Sequence, residues 1–391
     1  MRILALEPFG AASHMAFLEG LARASRFEIE VVSLPPRVWK WRMRTAAMGM
    51  VAEVVEREPD LLFVSDFLNL AELRALLPSK LRSIPVVCYF HENQMTYPVR
   101  EGERVDVHHG LTNIHSVLAA EHTLFNSAFH RDAFLEAARG LLARVPDLEL
   151  SGYGDSLERK SAVLGLGTDM PVADLARLAK GEAPVLVWNH RWEYDKNPDG
   201  FLRLLVELRR REFPFRLLLL GERFRGLPDA LVEIEAQFED CVVASGFAPS
   251  RAEYREQLSR GHLLVSTSRH EFFGLSTLEG LCAGLVPVLP HDLAYPELLP
   301  EGMVRAPFLY GRAEEQRASG RSSKPDRHEP SSECLAASHA ADAVIEASRL
   351  LASGEAAQQM AGLTEHLARF QWSALGPRFD EVFVQVASDA S

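Results

Sequence analysis

The chain alternates short apolar runs with longer amphipathic segments. Runs such as Leu61–Ser65 and Val86–Phe90 are almost continuously apolar, which is typical of strands buried on both faces of a parallel sheet. We predict further strands at Arg2–Pro8, Glu28–Leu34, Thr123–Asn126, Val185–Asn189, Phe215–Leu220, Val242–Ser245, His262–Ser266 and Val286–Leu289. We predict helices at His14–Ala24, Thr45–Arg57, Leu68–Leu77, Gly200–Arg211, Ala230–Phe238, Ser250–Arg260, Ala340–Leu351, Met360–Arg369 and Trp372–Val386. Two such alternating sets predict an α/β fold with two Rossmann-like, doubly wound parallel-sheet domains.

The domain boundaries follow from where this alternation weakens. We predict an N-terminal domain at 1–165, a C-terminal domain at 182–370 and a closing helix at 371–391. The glycine-rich stretch Ser151–Ala183 has no strong strand and is predicted to be the linker. Within 311–335 we predict a flexible insertion, because Gly311–Glu333 has five basic and five acidic residues and almost nothing apolar. Ligands bind at the carboxyl ends of strands in open α/β sheets, so two facing domains would form a cleft.

Composition narrows the class of protein. The 391 residues are 47% hydrophobic and 25% charged, as in a soluble globular protein, and no apolar run is long enough to span a membrane. The N-terminus has an acid and a proline where a signal peptide would stay apolar, so we expect a cytoplasmic protein without a membrane partner. The four cysteines form no C-x-x-C pair and are expected to be reduced. A net charge of −12 argues mildly against a polyanionic partner, although local basic surface decides nucleic-acid binding.

The sharpest candidate for chemistry is the segment Ser268–Gly280, directly after a predicted strand. It leads into a predicted helix, and the free N–H groups and positive dipole at a helix N-terminus bind phosphate. We therefore predict that this loop binds the diphosphate of a donor. The donor-binding residues predicted within it are Phe273, Gly274, Leu275 and Ser276.

Two glutamates of this segment, Glu271 and Glu279, lie eight positions apart. In a helix they would be up to ~12 Å apart, whereas paired glycosidase carboxylates lie about 5–9.5 Å apart. We interpret them as a ligand clamp, with Glu279 on a ribose and Glu271 on a sugar. The alternative is an amphipathic helix with two solvated glutamates.

Two cations follow the strand Val185–Asn189. Arg191 and Lys196 lie in one loop and can converge on a diphosphate leaving group, whose developing negative charge fixed cations stabilise. Pro198 suits the start of the next helix. The alternative is a surface loop with ordinary charges.

The spacing Arg191-x4-Lys196, followed by Glu271-x7-Glu279, resembles the retaining glycosyltransferases of the GT-B fold, family 4. This resemblance implies a nucleotide-diphosphate sugar bound mainly by the C-terminal domain, and no required metal or other cofactor. It also implies nucleotide contacts at Gly221 and Gly246, each of which follows a predicted strand.

Two N-terminal strings, Leu34–Arg44 and Tyr89–Pro98, resemble the tRNA-queuosine α-mannosyltransferases. That resemblance implies transfer of mannose from GDP-mannose to the cyclopentenediol of queuosine in aspartate tRNA. The first loop, which includes Gly10 and His14, also resembles this group and is assigned to the donor, although it has alanines where the group tends to have glycines.

A basic stretch with two tryptophans is the best candidate for RNA binding. No acid lies between Val31 and Ala52, and cations bind phosphates while indoles stack on exposed bases. The alternative is a solvated junction between strand and helix, with its tryptophans packed inward. The residues assigned to RNA are Arg37, Trp39, Lys40, Trp41, Arg42 and Arg44.

His91 ends a predicted strand, and the resemblance implies that it contacts the transferred sugar. Its neighbours Glu92 and Asn93 are assigned to the acceptor, and Asn126 is predicted to form a polar wall beside them. Front-face retention lets the leaving phosphate take the acceptor proton, so no strong protein base is required. A histidine at a strand end can also be a plain hydrogen-bonded residue.

Three readings compete for the whole chain. The first is the mannosyltransferase acting on queuosine in tRNA. The second keeps the donor chemistry but has a lipid or polysaccharide acceptor, and the third is a non-catalytic RNA-binding protein. His108, His115 and His122 recur at intervals of seven, but ligands ~10 Å apart along a helix cannot share one ion, so no metal is predicted.

Overall fold

A computed structural model describes residues 1–98, 106–222, 228–311 and 332–389. The chain divides into two compact units, one of Met1–Asp169 with Arg369–Ser391 and the other of Met170–Ala368. The first unit therefore includes the C-terminal helix as well as the N-terminal half. Most of the insertion predicted at 311–335 lies outside the described residues.

The first unit contains a six-stranded parallel sheet in the order β2-β1-β3-β4-β5-β6. Its strands are β1 (Arg2–Glu7), β2 (Glu28–Ser33), β3 (Leu61–Ser65), β4 (Val86–Phe90), β5 (His122–Phe125) and β6 (Ser161–Val163). Its helices are α1 (Ala12–Ala24), α2 (Trp39–Arg57), α3 (Leu70–Leu76), α4 (Val107–Ala119), α5 (Ala128–Leu142), α6 (Tyr153–Arg159) and the C-terminal helix Trp372–Asp389. The C-terminal helix packs in this unit's core, where Trp372 and Phe379 contact Phe17 of α1.

The second unit repeats this design with the strand order β12-β11-β10-β7-β8-β9. Its strands are β7 (Val185–Trp188), β8 (Arg216–Leu220), β9 (Val242–Gly246), β10 (Leu263–Val265), β11 (Val286–Pro290) and β12 (Leu309–Tyr310). Its helices are α7 (Pro198–Arg210), α8 (Asp229–Gln237), α9 (Arg251–Leu258), α10 (Leu275–Cys282), α11 (Ser332–Ser353), α12 (Ala356–Gln359) and α13 (Leu363–Ala368). In the described ranges, no helix combines the length and the apolar character needed to cross a bilayer.

Some sequence expectations were wrong in detail. The predicted linker contains α6 and β6, because a strand of only three residues is too short to show a pattern but pairs with β5. Helix α2 begins six residues earlier than predicted, so the basic stretch is mostly helical. Of the helix predicted at Met360–Arg369, only Leu363–Ala368 is α-helical, as α13, because α12 ends at Gln359 and a turn separates the two helices. His122 begins β5, so the three regularly spaced histidines do not share one helix.

The strand order of each sheet contains one point where the direction of winding reverses. In the first unit this switch lies between β1 and β3, and in the second it lies between β7 and β10. Ligands of doubly wound sheets bind at the carboxyl ends of the strands at such a switch. The loops after β1, β3, β7 and β10 are therefore the places to examine for a site.

Candidate active site

A largely buried ion pair joins the loops after β7 and β10 in the second unit, and the side chains of Lys196 and Glu271 are 8% and 16% exposed. Lys196 Nζ lies 3.0 Å from Glu271 Oε2, 3.2 Å from Asp195 Oδ2 and 3.0 Å from the carbonyl oxygen of His270. Burial by itself would lower the pKa of Lys196, but Glu271 and Asp195 reverse this and raise it. Burial likewise opposes ionisation of Glu271, and Lys196 more than offsets it, so the pKa of Glu271 is lowered. Lys196 and Glu271 are therefore both charged, and each stabilises the charge of the other.

Arg191 differs from Lys196 in its exposure. Its side chain is 54% exposed, and its guanidinium lies 3.3 Å from the Glu193 carboxylate. Burial, followed by the Lys196 charge, lowers the pKa of His270 to about 4, and the Arg191 charge adds a small contribution in the same direction, so Arg191 lies near the cluster. The two cations predicted to converge on a diphosphate therefore occupy one loop, with one side chain buried and the other reaching solvent.

Helix α10 begins directly after this cluster. Gly274 is the N-cap residue of this helix and adopts φ +90°, a left-handed conformation that suits glycine. No side chain caps the helix at this position. The first N–H groups of an α-helix have no partner within the helix, and they favour anions. Because α10 begins only at Leu275, the helical spacing estimate for Glu271 and Glu279 does not apply along the whole segment.

Glu279 is buried on α10 and held from α9. Arg251 Nη2 lies 2.6 Å from Glu279 Oε1. Burial, followed by the charge of Glu279, raises the pKa of Tyr254 well above its ordinary value, so Tyr254 also lies near Glu279. Asn189 joins these elements to β7, since its Nδ2 donates to the Tyr254 hydroxyl at 3.0 Å and to the Ser276 carbonyl at 2.6 Å. Arg251, Tyr254 and Asn189 are further residues of this candidate site, and no sequence motif predicted them because their partners lie far away along the chain.

The remaining donor residues predicted in this unit take packing positions beside the cluster. A Cβ at Gly221 would lie 2.0 Å from the His190 carbonyl oxygen, so only glycine fits there. The Gly221 N–H donates to the Gly246 carbonyl at 3.1 Å, which ties the ends of β8 and β9 together. Phe273 is buried, whereas Leu275 and Ser276 are half-buried on the first turn of α10. Their contact with a donor stays a prediction.

The first unit has its own polar cluster at its switch point. Glu7 is fully buried, and its carboxylate accepts from the Phe9 N–H and the Ser65 hydroxyl and pairs with His14 Nδ1 at 3.2 Å. Burial alone would lower the pKa of His14, but Glu7 more than offsets it and raises that pKa to about 9. His14 stacks on His91 with ring centroids 4.1 Å apart. The first loop is closed by the Gly10 N–H, which donates to the Leu34 carbonyl at 2.9 Å.

His91 is fixed through its backbone. Its N–H donates to Asp66 Oδ1 at 2.9 Å, and its carbonyl accepts from Asn126 Nδ2 at 2.9 Å. Burial, followed by the His14 charge, lowers the pKa of His91 well below its ordinary value, so its ring is neutral. Asn126 therefore positions His91, a role that the sequence did not indicate.

The two neighbours of His91 are bound within their own loop. The Asn93 amide oxygen accepts from the N–H groups of Met95 and Thr96 at 3.1 and 3.0 Å, and Glu92 accepts from Gln94 Nε2 at 2.7 Å. Asn93 is fully buried, so it shapes this loop. Contact of either side chain with an acceptor stays a prediction and would compete with these bonds.

Glu7, His14 and His91 also place ligand-type atoms within 4.8 Å of one another. The two imidazoles, however, are nearly parallel, with 18° between their planes. Lone pairs of imidazole nitrogens lie in the ring plane, so two parallel rings stacked one above the other cannot both point at one ion. The geometry fits a buried ion pair covered by a neutral histidine better than it fits a metal centre.

The ion pair of Glu7 and His14 makes stability depend on pH. A folded-state pKa of about 9 above the ordinary 6.5 stabilises the fold fully below pH 6.5, and this contribution is lost as the pH rises through 9. We expect the free energy of unfolding to fall by roughly 3 kcal/mol across this window. Chemical denaturation at pH 6 and pH 9 measures it. A His14→Asn variant should lack the fall, and an equal fall in both proteins would contradict the assignment.

The basic stretch surrounds the start of α2. Trp41 is 66% exposed, whereas Trp39 is half-buried and packs against His109, with ring centroids 5.1 Å apart. Arg37 and Lys40 are exposed, and Arg44 is exposed although it lies 2.8 Å from Asp106. Arg42 turns back and donates to the Pro35 carbonyl at 3.3 Å. Trp41 is thus available for stacking on a base, whereas Trp39 packs inward against α4.

Comparisons with known proteins decide the family. The profile of the tRNA-queuosine alpha-mannosyltransferase N-terminal domain matches residues 2–168, and that of family 4 glycosyltransferases in conflict systems matches residues 200–375. A tRNA-queuosine alpha-mannosyltransferase of Drosophila melanogaster is 35% identical over 314 residues, which are 76% of this chain and 82% of the relative. The chain belongs to the tRNA-queuosine alpha-mannosyltransferase family. It is therefore a glycosyltransferase, as its motifs predicted.

Other proteins match this chain over a smaller part of its length or at a lower sequence identity. A GDP-mannose:cellobiosyl-diphosphopolyprenol alpha-mannosyltransferase of Xanthomonas oryzae is 30% identical over 103 residues, 25% of this chain and 26% of the relative. Anabaena HepE in complex with UDP and glucose has a TM-score of 0.66 at 16% identity and covers 98% of this chain and 100% of its own. Sucrose-phosphate synthase of Thermosynechococcus elongatus has a TM-score of 0.68 at 13% identity, with 100% of both chains covered. These structures show the fold, and the predicted GT-B class is confirmed.

Proposed function

We propose that this protein transfers mannose from GDP-mannose to queuosine in tRNA(Asp), with retention at the anomeric carbon, in the cytoplasm. The observation that carries the proposal is the buried pair of Lys196 and Glu271 beside the start of α10, in a chain of this family. The two named substrates are those that the resemblance implies. The Drosophila relative's name supports tRNA-queuosine as the acceptor, and the Xanthomonas relative's name supports GDP-mannose as the donor.

The second unit supplies the chemistry of a donor site. The N-terminus of α10 and the cations Lys196 and Arg191 would bind the diphosphate, while Glu271 would accept from mannose hydroxyls and Glu279 from ribose hydroxyls. As the bond between C1 and the β-phosphate oxygen breaks, negative charge grows on that phosphate. Fixed cations and helix N–H groups stabilise this charge without rearrangement. The acceptor hydroxyl then bonds to C1 on the same face, and its proton goes to a phosphate oxygen.

The first unit would hold the acceptor. We assign His91 to the transferred sugar, in line with its position after β4 and its neutral ring. A neutral imidazole can donate to a hydroxyl oxygen or accept from one, and it adds no charge next to the anomeric carbon. The exposed Trp41 and the cations around it would contact the tRNA.

The test uses radiolabelled GDP-mannose with tRNA that contains queuosine and with the same tRNA lacking it. We expect label only in the queuosine-containing tRNA, in a product sensitive to nuclease. Transfer of label to a polyprenyl-linked sugar instead would show that the acceptor is a lipid and not tRNA. A folded protein that binds tRNA but never transfers label would favour a non-catalytic RNA-binding protein.

We further propose that the reaction requires no metal or organic cofactor, because Lys196 and Arg191 offer the positive charge that a divalent ion would otherwise bring to the diphosphate. In the same assay, excess EDTA should leave the initial rate unchanged. Added Mg²⁺ or Mn²⁺ should not raise it. Loss of transfer in EDTA, restored by one of these ions, would contradict this part of the proposal.

A further inference from the structure

A buried histidine lies directly after β7, within the loop that also carries Arg191 and Lys196. His190 is 2% exposed, and the edge-to-face contact of its ring with Trp188 has centroids 5.2 Å apart. Ser276 Oγ lies 3.5 Å from its Nδ1, at the limit of a hydrogen bond. Two elements of the donor site therefore fix this ring, one being β7 and the other the first turn of α10.

The other ring nitrogen of His190 has no partner. None of the residues that the structure describes offers a hydrogen bond to Nε2, although this atom is buried. Leaving a buried polar group unsatisfied costs about 1–3 kcal/mol. We assign the proton of the neutral ring to Nε2, the tautomer in which Nδ1 accepts from the Ser276 hydroxyl. The unused group is therefore a donor, and it suits an acceptor atom on a ligand.

The charges around His190 indicate which ligand atom that is. Burial, and after it the Lys196 charge, lowers the pKa of His190 to about 4, although Glu271 and Asp195 act in the opposite direction. At neutral pH the ring thus carries a single N–H donor rather than a charge. It shares its surroundings with Lys196 and Glu271, which we assigned to the phosphate and the sugar. Arg251 and Glu279 mark the ribose end.

We propose that His190 is a further donor-binding residue, whose Nε2–H donates a hydrogen bond to an oxygen of the β-phosphate of the nucleotide-diphosphate sugar. The inference rests on the proposed function, because it takes the loop after β7 as the diphosphate site. It adds a neutral donor to the two cations of that loop. As the leaving group, the β-phosphate gains charge during transfer, so the bond strengthens when the glycosidic bond breaks.

Titration calorimetry of the full-length protein with GDP and with GMP tests this assignment without any acceptor. We expect His190→Ala to weaken GDP binding by about 10- to 100-fold, as for a hydrogen bond to a charged group, and to leave GMP binding nearly unchanged. His190→Gln should restore most of the GDP affinity, because its amide nitrogen can occupy the place of Nε2. The matched control is His109→Ala, since His109 is also buried with an unpartnered Nε2 but lies on α4 of the first unit.

The possible results separate the two proposals. Equal loss of GDP and GMP binding in His190→Ala, with no rescue by Gln, would overturn the phosphate contact in favour of a structural role. Unchanged GDP affinity in His190→Ala would overturn it outright, while the proposed donor site would stand. A folded wild-type protein that binds neither nucleotide would refute the proposed donor first, and the role of His190 with it.

Discussion

Replacing Lys196 with Ala should lower kcat/KM for transfer by at least roughly 10²–10³-fold, equivalent to about 3–4 kcal/mol of transition-state stabilisation. Two losses combine in this variant. The diphosphate loses a cation that the fold holds in place, and Glu271 and Asp195 remain buried without the charge that they surround. Removing one partner of a buried ion pair is strongly unfavourable for the partner that stays. The decrease should appear in kcat as well as in KM, because the leaving phosphate gains charge only during the reaction.

A double-mutant cycle that combines Lys196→Ala with Glu271→Ala shows whether the two residues act together. Each single variant should have a strongly lowered kcat/KM. The double variant should be little worse than either, because each single substitution already removes the contact between Lys196 and Glu271. Lys160→Ala is the control, since Lys160 is also partly buried and donates to the Leu118 carbonyl at 2.8 Å, but lies in the first unit. It should lower stability and leave kcat/KM unchanged. Near-normal transfer by Lys196→Ala and Glu271→Ala would refute the assigned roles.

Much of the fold could be predicted from the sequence, because parallel strands buried on both faces are almost uniformly apolar. The interior strands β3 and β4 were predicted with their observed ends. The edge strands β6 and β12 were missed, since two or three residues carry no periodicity. Helix α2 begins directly after Val38, whose left-handed conformation, φ 48°, could not be predicted from the sequence pattern.

The site could be predicted only as far as its local motifs reach. Lys196 and Glu271 were assigned by spacing, but which of the two loop cations is buried depends on packing between β7 and β10. The bond between Arg251 and Glu279 joins α9 to α10, so no motif contains both residues. For the cluster in the first unit, the sequence sign is Glu7 itself, an acid at the end of an apolar strand.

The two switch points explain why the polar clusters formed where they did. In both sheets carboxylates with little exposure lie at the ends of the strands at the switch or in the loops after them. They are Glu7 at the end of β1, Asp66 after β3, Asp195 after β7 and the half-buried Glu271 after β10. In the first unit Glu7 pairs with His14, and in the second unit Asp195 and Glu271 pair with Lys196. Both clusters lie beside a helix whose N-cap makes no side-chain hydrogen bond, α1 in the first unit and α10 in the second. The second cluster is the better anion site, because Arg191 adds a second cation to its loop.

Removing the exposed basic residues around α2 should weaken tRNA binding in a way that depends on salt. If Arg37, Lys40 and Arg44 each neutralise a phosphate, the triple Ala variant should reduce the slope of log affinity against log salt by about 2–3. Trp41→Ala should cost about 1–3 kcal/mol if the indole stacks on a base, with little change in that slope. Fluorescence anisotropy with labelled tRNA across a salt series measures both effects.

The control for this experiment removes the same charge from another helix of the first unit. Arg131, Arg139 and Arg144 lie on or just after α5, and their triple Ala variant should bind tRNA with the wild-type salt slope. Equal slopes for both triple variants would show that only the overall charge matters, and the surface at α2 would lose its role. Unchanged affinity in Trp41→Ala would remove stacking alone. Binding of GDP should be the same in every variant, because none of them changes a residue assigned to the donor.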